Sequence, residues 1–354
     1  MNLFKKESNH VSYLLRELNE RGIPKLLAGI KNVEQWKDKK ETIKNKWKEY
    51  IGEIPHTVPV KYEIVSEVKE IDHIRQHIVY DTVYNDKVTA YLLIPDFATE
   101  KFNKGRRLPA VLALHPTNKT GKEDVATSKG RTNRTYGLEL VSRGYIVLAP
   151  DTLAAGERVY SGYQSFHNEP FYEEYPEWSA VAKNIVDHMQ GVDVLQSLDF
   201  VDSEAIGAIG HSFGGYNAYF LATVDDRVKA IVCSCGFCTF TGDFRPHQWG
   251  WRNWYTHLPK ITDLISNGEI PFEFHEIAAL VAPTPFFNWS GQNDVIFPHW
   301  KSIGEALQDL YQLYDWLGVS DRFFSLIGAS GHDFPPDIRK LGYNFLDTWL
   351  KRKQ

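Results

Sequence analysis

Strand-like apolar runs alternate with longer amphipathic stretches over most of the chain, and this alternation is the main signal of the fold. The strand candidates lie at 109–114, 205–209, 228–232, 285–289 and 322–327. Alternation of this kind predicts parallel strands that are joined by right-handed crossovers, with helices on both faces of one sheet. We therefore expect an α/β protein.

An antiparallel hairpin is predicted ahead of this region. Residues 75–80 and 88–94 are rich in β-branched and aromatic residues and flank the turn-forming pair Asn85-Asp86. Two such runs around an Asn-Asp turn are typical of a β-hairpin. The hairpin would form the antiparallel start of the sheet.

Residues 31–51 have the spacing of an amphipathic helix. Its apolar side carries Trp36, Ile43, Trp47 and either Tyr50 or Ile51, and lysines and glutamates occupy the other side. We expect the helix to pack on the core, because acidic residues among the lysines disfavour a membrane surface. The predicted division is a helical N-terminal extension at 1–58 and a catalytic domain at 59–354.

Two aromatic stretches interrupt the alternation, at about 160–178 and 236–276. Insertions after the strand ends of an α/β sheet lie beside the active site, where aromatic walls suit a sugar ring or an aromatic acyl group. The alternative is a cap that buries its own aromatic residues. The predicted substrate-binding residues are Tyr163, Trp249, Trp251 and Trp254.

Composition narrows the classes of function. The chain has 354 residues, 43% of them hydrophobic, and a formal net charge of −5 without a long block of like charge. This disfavours nucleic acid or an anionic membrane as a partner and favours a neutral small-molecule substrate. The N-terminus lacks the apolar core of a signal peptide, and no 18 apolar residues run together, so the expected location is the cytoplasm. The sequence carries no signal for an oligomeric state.

Cofactors and metals are not expected. The three cysteines, Cys233, Cys235 and Cys238, follow one strand candidate. They lack the paired spacing and the fourth ligand of a zinc site, and so few cysteines do not make a disulfide framework. Buried thiols at a strand end are the favoured interpretation.

The pentapeptide Gly210-His211-Ser212-Phe213-Gly214 follows the strand candidate at 205–209 and precedes a predicted helix. This is the setting of a G-x-S-x-G nucleophile elbow, in which a sharp strand-to-helix turn presents a serine to a base. The flanking glycines allow that turn. Ser212 is therefore the predicted nucleophile.

The partners of Ser212 are predicted from chain order, since in an α/β-hydrolase the acid and then the histidine follow the serine. Asp294 lies in a turn after the strand candidate at 285–289, and His332 lies in a glycine-rich loop after the last one. They are the predicted acid and base. Asp333 is a rival carboxylate, but its adjacency to His332 would send its side chain elsewhere.

Oxyanion donors are expected from two backbone amides, one after the nucleophile and one from the loop after an earlier strand. Phe213 N–H is the first. In the loop after residue 114, Pro116 has no N–H, so Thr117 is the predicted second donor and Asn118 is the fallback. His115 is expected to be a packed structural histidine.

Residues 60–350 resemble the α/β-hydrolase superfamily, nearest its dienelactone-hydrolase-like and acetyl-xylan-esterase-like serine esterases. Besides the elbow, the resemblance involves residues 114–117, 121–122, 143–151, 156–158, 282–285, 291–294 and 331–335. It implies an α/β-hydrolase fold, with a mostly parallel sheet, helices on both faces, an N-terminal hairpin and cap insertions. It also implies hydrolysis of carboxylic esters through an acyl-enzyme, with short-acyl esters such as acetylated carbohydrates as substrates.

The chain departs from related groups in ways that narrow this resemblance. Dienelactone hydrolases use a cysteine where this elbow carries Ser212, and neither an R-G-Q tripeptide nor the G-C-S-R-x-G elbow of glucuronoyl esterases is present. Alternatives are a peptidase related to prolyl oligopeptidases, although the sequence has no propeller-length repeat array, and a non-catalytic binding module on the same fold. Lyase or haloperoxidase chemistry also occurs on this scaffold.

Overall fold

The computed structural model describes residues 12–351, which are built around a nine-stranded sheet. The strands of the chain are β1 (Tyr13–Leu14), β2 (Tyr62–Lys69), β3 (His73–Asp81), β4 (Lys87–Pro95), β5 (Leu108–Leu114), β6 (Ile146–Pro150), β7 (Val201–His211), β8 (Val228–Ser234), β9 (Glu269–Ile270), β10 (Phe286–Gly291) and β11 (Phe323–Gly328). The order in the large sheet is β11-β10-β8-β7-β5-β6-β4-β3-β2. Strands β1 and β9 form a separate antiparallel pair.

The sheet is parallel from β11 to β6 and antiparallel from β6 to β2. The chain passes from β5 to β6 on one side and then returns to place β7 on the other side of β5. In open α/β sheets, such a reversal of strand order opens a crevice at the carboxyl ends of the strands, where ligands bind. The ends of β5 and β7 therefore mark the place for a site.

Helices cover both faces of the sheet. They are α1 (Leu15–Arg21), α2 (Val33–Ile51), α3 (Ala98–Asn103), α4 (Glu123–Ala126), α5 (Tyr136–Ser142), α6 (Glu169–Glu174), α7 (Ala180–Gln196), α8 (Phe213–Ala222), α9 (Thr262–Ser266), α10 (Phe274–Ala279), α11 (Trp300–Trp316) and α12 (Pro336–Leu350). Two hydrophobic clusters result. One includes residues of α2, α7, α8 and α11, and the other includes residues of α5 and α12.

Strand β5 contributes to both clusters by simple alternation. Leu112 and Leu114 belong to the first cluster, and Val111 and Ala113 belong to the second. A strand buried on both faces needs apolar residues at every position, which explains the continuous apolar runs in the sequence. The predicted α/β fold, with a mostly parallel sheet and helices on both faces, is confirmed.

The N-terminal elements agree with the predicted hairpin and helix, with one addition. Strands β3 and β4 pair antiparallel around the turn, and α2 buries Trp36, Ile43, Trp47 and Ile51. Strand β2 was not predicted. Nearly all of its side chains are exposed at the sheet edge, so it lacks the periodic burial that marks a strand in a sequence.

The first described residues pack against the second aromatic insertion and α11. Strand β1 pairs with β9, and Leu26 N–H donates to Asp309 Oδ2 at 2.8 Å. Both insertions contain short helical turns between irregular segments. No helix within residues 12–351 has the length and apolar character needed to span a membrane.

Candidate active site

Ser212 stands at the turn between β7 and α8, with φ 54° and ψ −119°. Few L-residues adopt a positive φ, so this conformation carries backbone strain that the surrounding structure must support. Support comes from the next strand, because Ser212 N–H donates to Ser234 O at 2.7 Å. The turn exposes the serine side chain at the carboxyl end of β7.

Glycines around Ser212 allow three backbone segments to meet. A Cβ at Gly210 would lie 2.2 Å from the Gly214 carbonyl group, and a Cβ at Gly214 would lie 1.9 Å from Leu114 O. No side chain fits at such distances. The start of α8 is thereby brought against the end of β5, where the loop with Pro116 and Thr117 begins.

Three predicted side chains form one hydrogen-bonded chain. His332 Nε2 lies 2.8 Å from Ser212 Oγ, and His332 Nδ1 lies 2.7 Å from Asp294 Oδ2. Asp294 comes from the loop after β10 and His332 from the loop after β11. Neighbouring parallel strands end at the same edge of the sheet, so residues 120 positions apart in sequence come into contact here.

The Asp294 carboxylate is buried but fully hydrogen-bonded. Its Oδ1 accepts from Ile296 N–H at 2.7 Å and from Phe297 N–H at 3.0 Å. Burial by itself raises its pKa, but the hydrogen bond from His332 and those from the two amides outweigh burial and hold the pKa of Asp294 below its usual value. The group is therefore an anion at neutral pH, and it faces the imidazole.

Asp333 does not compete with Asp294 for His332. Its carboxylate accepts from Arg134 Nη1 at 2.7 Å and from Asn133 Nδ2 at 2.8 Å. The side chain thus leaves His332 in another direction, as adjacency in the chain predicts. Asp333 instead fastens the His332 loop to the segment before α5.

A second imidazole, that of His211, lies close to the His332 ring and is tilted against it. The ring centroids of His211 and His332 are 4.8 Å apart, and His211 Nδ1 lies 2.9 Å from Ser234 Oγ. Burial, together with the nearby positive charge of Arg134, holds the pKa of His211 well below its usual value. His211 is therefore neutral and places no competing charge beside His332.

Of the two predicted oxyanion donors, Phe213 directly follows Ser212 and Thr117 lines the same cavity as Ser212. Phe213 is the first residue of α8, so its N–H has no acceptor inside the helix. Thr117 is half-buried and, with Pro116 and Ser212, lines the same cavity. His115 is fully buried, with its two nitrogens bonded to Pro116 O and to Thr152, so it is the packed histidine that the sequence suggests.

Ser212 and His332 open into a cavity of about 380 Å³. Of the four predicted substrate-binding aromatics, Trp249 and Trp254 line the cavity. Trp251 and Tyr163 are absent from its lining and have 52% and 43% of their surface exposed. The insertions therefore do both things that the sequence left open: Trp249 and Trp254 face the cavity, and Phe171 and Tyr172 are buried inside the cap.

Sequence reasoning missed the polar part of the cavity wall. The lining also includes Tyr216 and His257, which are hydrogen-bonded at 2.7 Å, and four arginines, Arg131, Arg134, Arg245 and Arg252. Arg245 and Arg252 lie seven residues apart within the second aromatic insertion. Basic residues among clustered aromatics were the available signal.

One cluster has the composition of a metal site. Ligand atoms of Cys235, Asp294 and His332 lie within 4.8 Å of one another. However, both His332 nitrogens are already hydrogen-bonded, and burial, aided by the Asp294 charge, raises the pKa of Cys235 well above the neutral range. A protonated thiol is a poor metal ligand, so the donor set does not favour a metal.

The sheet order, the strained turn after β7 and the reversal of strand order at β5 define an α/β-hydrolase. Within this class, the chain belongs to the prolyl oligopeptidase family, whose sequence profile matches residues 135–316. The matched region includes Ser212 and Asp294 and ends before His332.

Individual relatives cover nearly the whole chain. The protein YtaP of Bacillus subtilis (strain 168), a hydrolase by name, is 26% identical over 304 residues, which are 85% of this chain and 96% of YtaP. A glucuronoyl esterase from Solibacter usitatus superposes with a TM-score of 0.69 at 19% identity and covers 92% of this chain and 97% of its own. Acetyl xylan esterase 1 from Thermoanaerobacterium sp. JW/SL YS485 gives 0.55 at 16% identity, with 87% and 92% covered. At these identities, the two structural likenesses concern the fold.

Proposed function

We propose that the protein is a serine hydrolase that cleaves carboxylic esters through an acyl-enzyme, with Ser212, His332 and Asp294 as its catalytic residues. The observation that carries the proposal is the hydrogen-bonded chain from Asp294 through His332 to Ser212, with distances of 2.7 and 2.8 Å. A serine hydroxyl is a weak nucleophile until a base takes its proton. His332, hydrogen-bonded to both Ser212 and Asp294, is that base.

In the first half-reaction, His332 Nε2 accepts the Ser212 proton as Oγ attacks the ester carbonyl carbon. The Asp294 carboxylate fixes the imidazole tautomer and stabilises the imidazolium that forms. Phe213 N–H and Thr117 N–H would donate to the oxyanion of the tetrahedral intermediate. His332 then returns the proton to the departing alcohol, which leaves an acyl group on Ser212.

In the second half-reaction, water replaces the alcohol. His332 accepts a proton from the water as its oxygen attacks the acyl carbon, and the proton then passes to Ser212 Oγ as the acid leaves. The products are one alcohol and one carboxylic acid. The enzyme returns to its starting state.

Short-acyl esters such as acetylated carbohydrates are the proposed substrates. By name, the two structural neighbours are a glucuronoyl esterase and an acetyl xylan esterase. Trp249 and Trp254 in the cavity wall suit stacking on a sugar ring, and a cavity of about 380 Å³ suits a small substrate. Both arguments for this substrate class are independent of the hydrogen bonds among the three catalytic residues.

The test is the initial rate of hydrolysis of p-nitrophenyl esters from acetate to octanoate by the wild type and by Ser212→Ala. We expect the wild-type rate to fall with acyl length and the variant to lose at least about 10³-fold, because the nucleophile is gone. Ser66→Ala, an exposed serine on the edge strand β2, is the matched control. A Ser212→Ala enzyme with wild-type rates would refute the proposal.

A peptidase is the second candidate function, because the family profile that the chain matches is that of the prolyl oligopeptidases. The same catalytic chain would attack an amide carbonyl, with His332 protonating the amine that leaves. Peptidyl p-nitroanilides, assayed beside the esters, separate the two candidates. Ser212-dependent release of nitroaniline at rates above those for the esters would favour the peptidase.

A further inference from the structure

Among the described residues, four arginines and no carboxylate line the Ser212 cavity. The positive charge of an arginine in a confined cavity is usually balanced by an acidic neighbour, because unpaired charges lose hydration on burial. The partners of the four guanidinium groups therefore determine which charges remain available to a ligand.

Two of the four arginines are balanced by aspartates. Arg131 forms a bidentate ion pair with the buried Asp124, in which Nε donates to Oδ1 at 3.1 Å and Nη2 donates to Oδ2 at 2.7 Å. Arg134 donates to Asp333 Oδ1 at 2.7 Å. These two groups hold the loops around His332 and Thr117 in place, and their charges are largely cancelled.

The other two arginines form no ion pair with any carboxylate within residues 12–351. Arg245 Nη2 donates to the carbonyls of Val295 and Ile296 at 3.3 and 3.0 Å, while its buried Nε has no hydrogen-bond partner among the described residues. Arg245 is thus fixed to the loop that directly follows Asp294. Backbone carbonyls satisfy some of its donors and leave its charge uncancelled.

Arg252 also lines the Ser212 cavity. Its Nε donates to Tyr255 O at 2.7 Å, and the guanidinium carbon is 4.6 Å from the Trp254 ring centroid. Burial lowers the pKa of Arg252, and the positive charge of Arg245 lowers it further, but a guanidinium remains protonated near neutral pH. Two positively charged side chains thus line the same cavity, and that of Arg252 lies over an aromatic ring.

We infer that Arg245 and Arg252 form an anion subsite, and that the ester substrate carries a carboxylate besides the ester that is cleaved. This inference rests on the proposed function, since it concerns the substrate of the Ser212 cavity. Guanidinium groups bind carboxylates through paired, charge-assisted hydrogen bonds. An anion between them would replace the missing counter-charge, and Trp249 and Trp254 would contact the ring or chain that bears it.

Two pairs of esters test the inference, each with one anionic and one neutral member. The carboxylate is on the acyl side in p-nitrophenyl hydrogen glutarate, compared with p-nitrophenyl pentanoate. It is on the alcohol side in 4-acetoxybenzoate, compared with 4-methylphenyl acetate. We expect the kcat/KM ratio of anionic to neutral ester to fall about tenfold or more in Arg245→Gln and in Arg252→Gln for at least one pair.

The ratio is the measured quantity because a general loss of activity cancels from it. Arg107→Gln is the matched control, since Arg107 is exposed, lies outside the Ser212 cavity and donates to Asp199 O. Added salt should lower the wild-type ratio, because ions screen the attraction. Unchanged ratios in both variants, with hydrolysis still dependent on Ser212, would overturn the inference and leave the proposed function standing.

A binding measurement covers the case in which no ester is cleaved in a Ser212-dependent way, which would refute the proposed function. Calorimetry on Ser212→Ala would compare benzoate with benzyl alcohol. We expect benzoate to bind about tenfold more tightly, and to lose that advantage when Arg245→Gln or Arg252→Gln is added. Equal binding of the two probes would overturn the anion subsite independently of catalysis.

Discussion

At the Ser212 turn, contacts with neighbouring residues restrict the backbone conformation, the side-chain size and the hydrogen bonding of individual residues. Ser212 has a positive φ, Gly210 and Gly214 have no room for a Cβ, and Asp294 is buried with three hydrogen-bond donors around it. Together these restrictions keep Ser212 and Asp294 within hydrogen-bonding distance of His332. The strain at Ser212 is supported by the hydrogen bond from Ser212 N–H to Ser234 O, at the end of the neighbouring strand β8.

The role of Asp294 is tested by Asp294→Asn. An amide cannot supply the negative charge and would favour the wrong imidazole tautomer, so we expect kcat for ester hydrolysis to fall by about 10³ to 10⁴. Steady-state kinetics on p-nitrophenyl acetate would measure this. Asp333→Asn changes the adjacent carboxylate, which faces Arg134, and we expect it to stay within about tenfold of the wild type. An equal loss in both variants would contradict the assignment.

At the scale of elements, α2 joins the N-terminal region to the helix that begins at the elbow. Trp47 on α2 is fully buried, 5.0 Å from the Phe220 ring of α8 and 5.4 Å from the Phe272 ring. One side chain thus packs on both the nucleophile helix and the second insertion. This contact integrates α2 with the elements that surround the site.

Replacement of Trp47 by alanine should therefore lower the free energy of unfolding by about 3 to 5 kcal/mol, as expected for the removal of a large aromatic side chain from a core. Urea denaturation followed by circular dichroism measures the change. Lys48→Ala, exposed on the same helix, should change it by less than about 0.5 kcal/mol. A loss below 1 kcal/mol for Trp47→Ala would mean that α2 is only loosely attached.

At the scale of the whole molecule, a network of charges ties the N-terminal hairpin to the sheet and its helices. Asp86, in the turn after β3, contacts Arg158 Nη2 at 2.6 Å and Lys183 Nζ at 2.7 Å. Arg158 follows β6, Lys183 lies in α7, and both also pair with the buried Asp187. Three separate regions of the chain therefore meet at one set of ion pairs.

This network predicts a pH-dependent stability. Burial raises the pKa of Asp86, but the charges of Arg158 and Lys183 outweigh burial and hold that pKa below its usual value. A lowered carboxyl pKa stabilises the folded state above the unfolded-state pKa of about 3.9, and the contribution is lost as pH falls below that value. Asp86→Asn should thus be less stable than the wild type at pH 7, and the difference should shrink by pH 3.

Urea denaturation at pH 7, 4.5 and 3 measures that difference. Asp321→Asn, at an exposed position away from the network, should follow the wild type at every pH. A difference between Asp86→Asn and the wild type that stays constant or grows as pH falls would contradict the proposed linkage.

The local sequence pattern was sufficient to predict most of the secondary-structure elements and the position of the nucleophile. The continuous apolar runs, the hairpin turn, the amphipathic spacing of α2 and the glycine-serine pentapeptide each depend on neighbours in sequence, so they are visible without a structure. Chain order also indicated Asp294 and His332, because the order of strands in this fold fixes which loops meet.

Tertiary structure decided the rest, because it depends on residues that are distant in sequence. Strand β2 exists through its pairing with β3, since its own exposed side chains give no periodic signal. Only packing of the insertion separates Trp249 and Trp254 in the cavity wall from Trp251 at the surface. Likewise, an arginine in a sequence shows its charge but not its partner, so the pairing of Arg134 and the unpaired state of Arg252 follow from the fold alone.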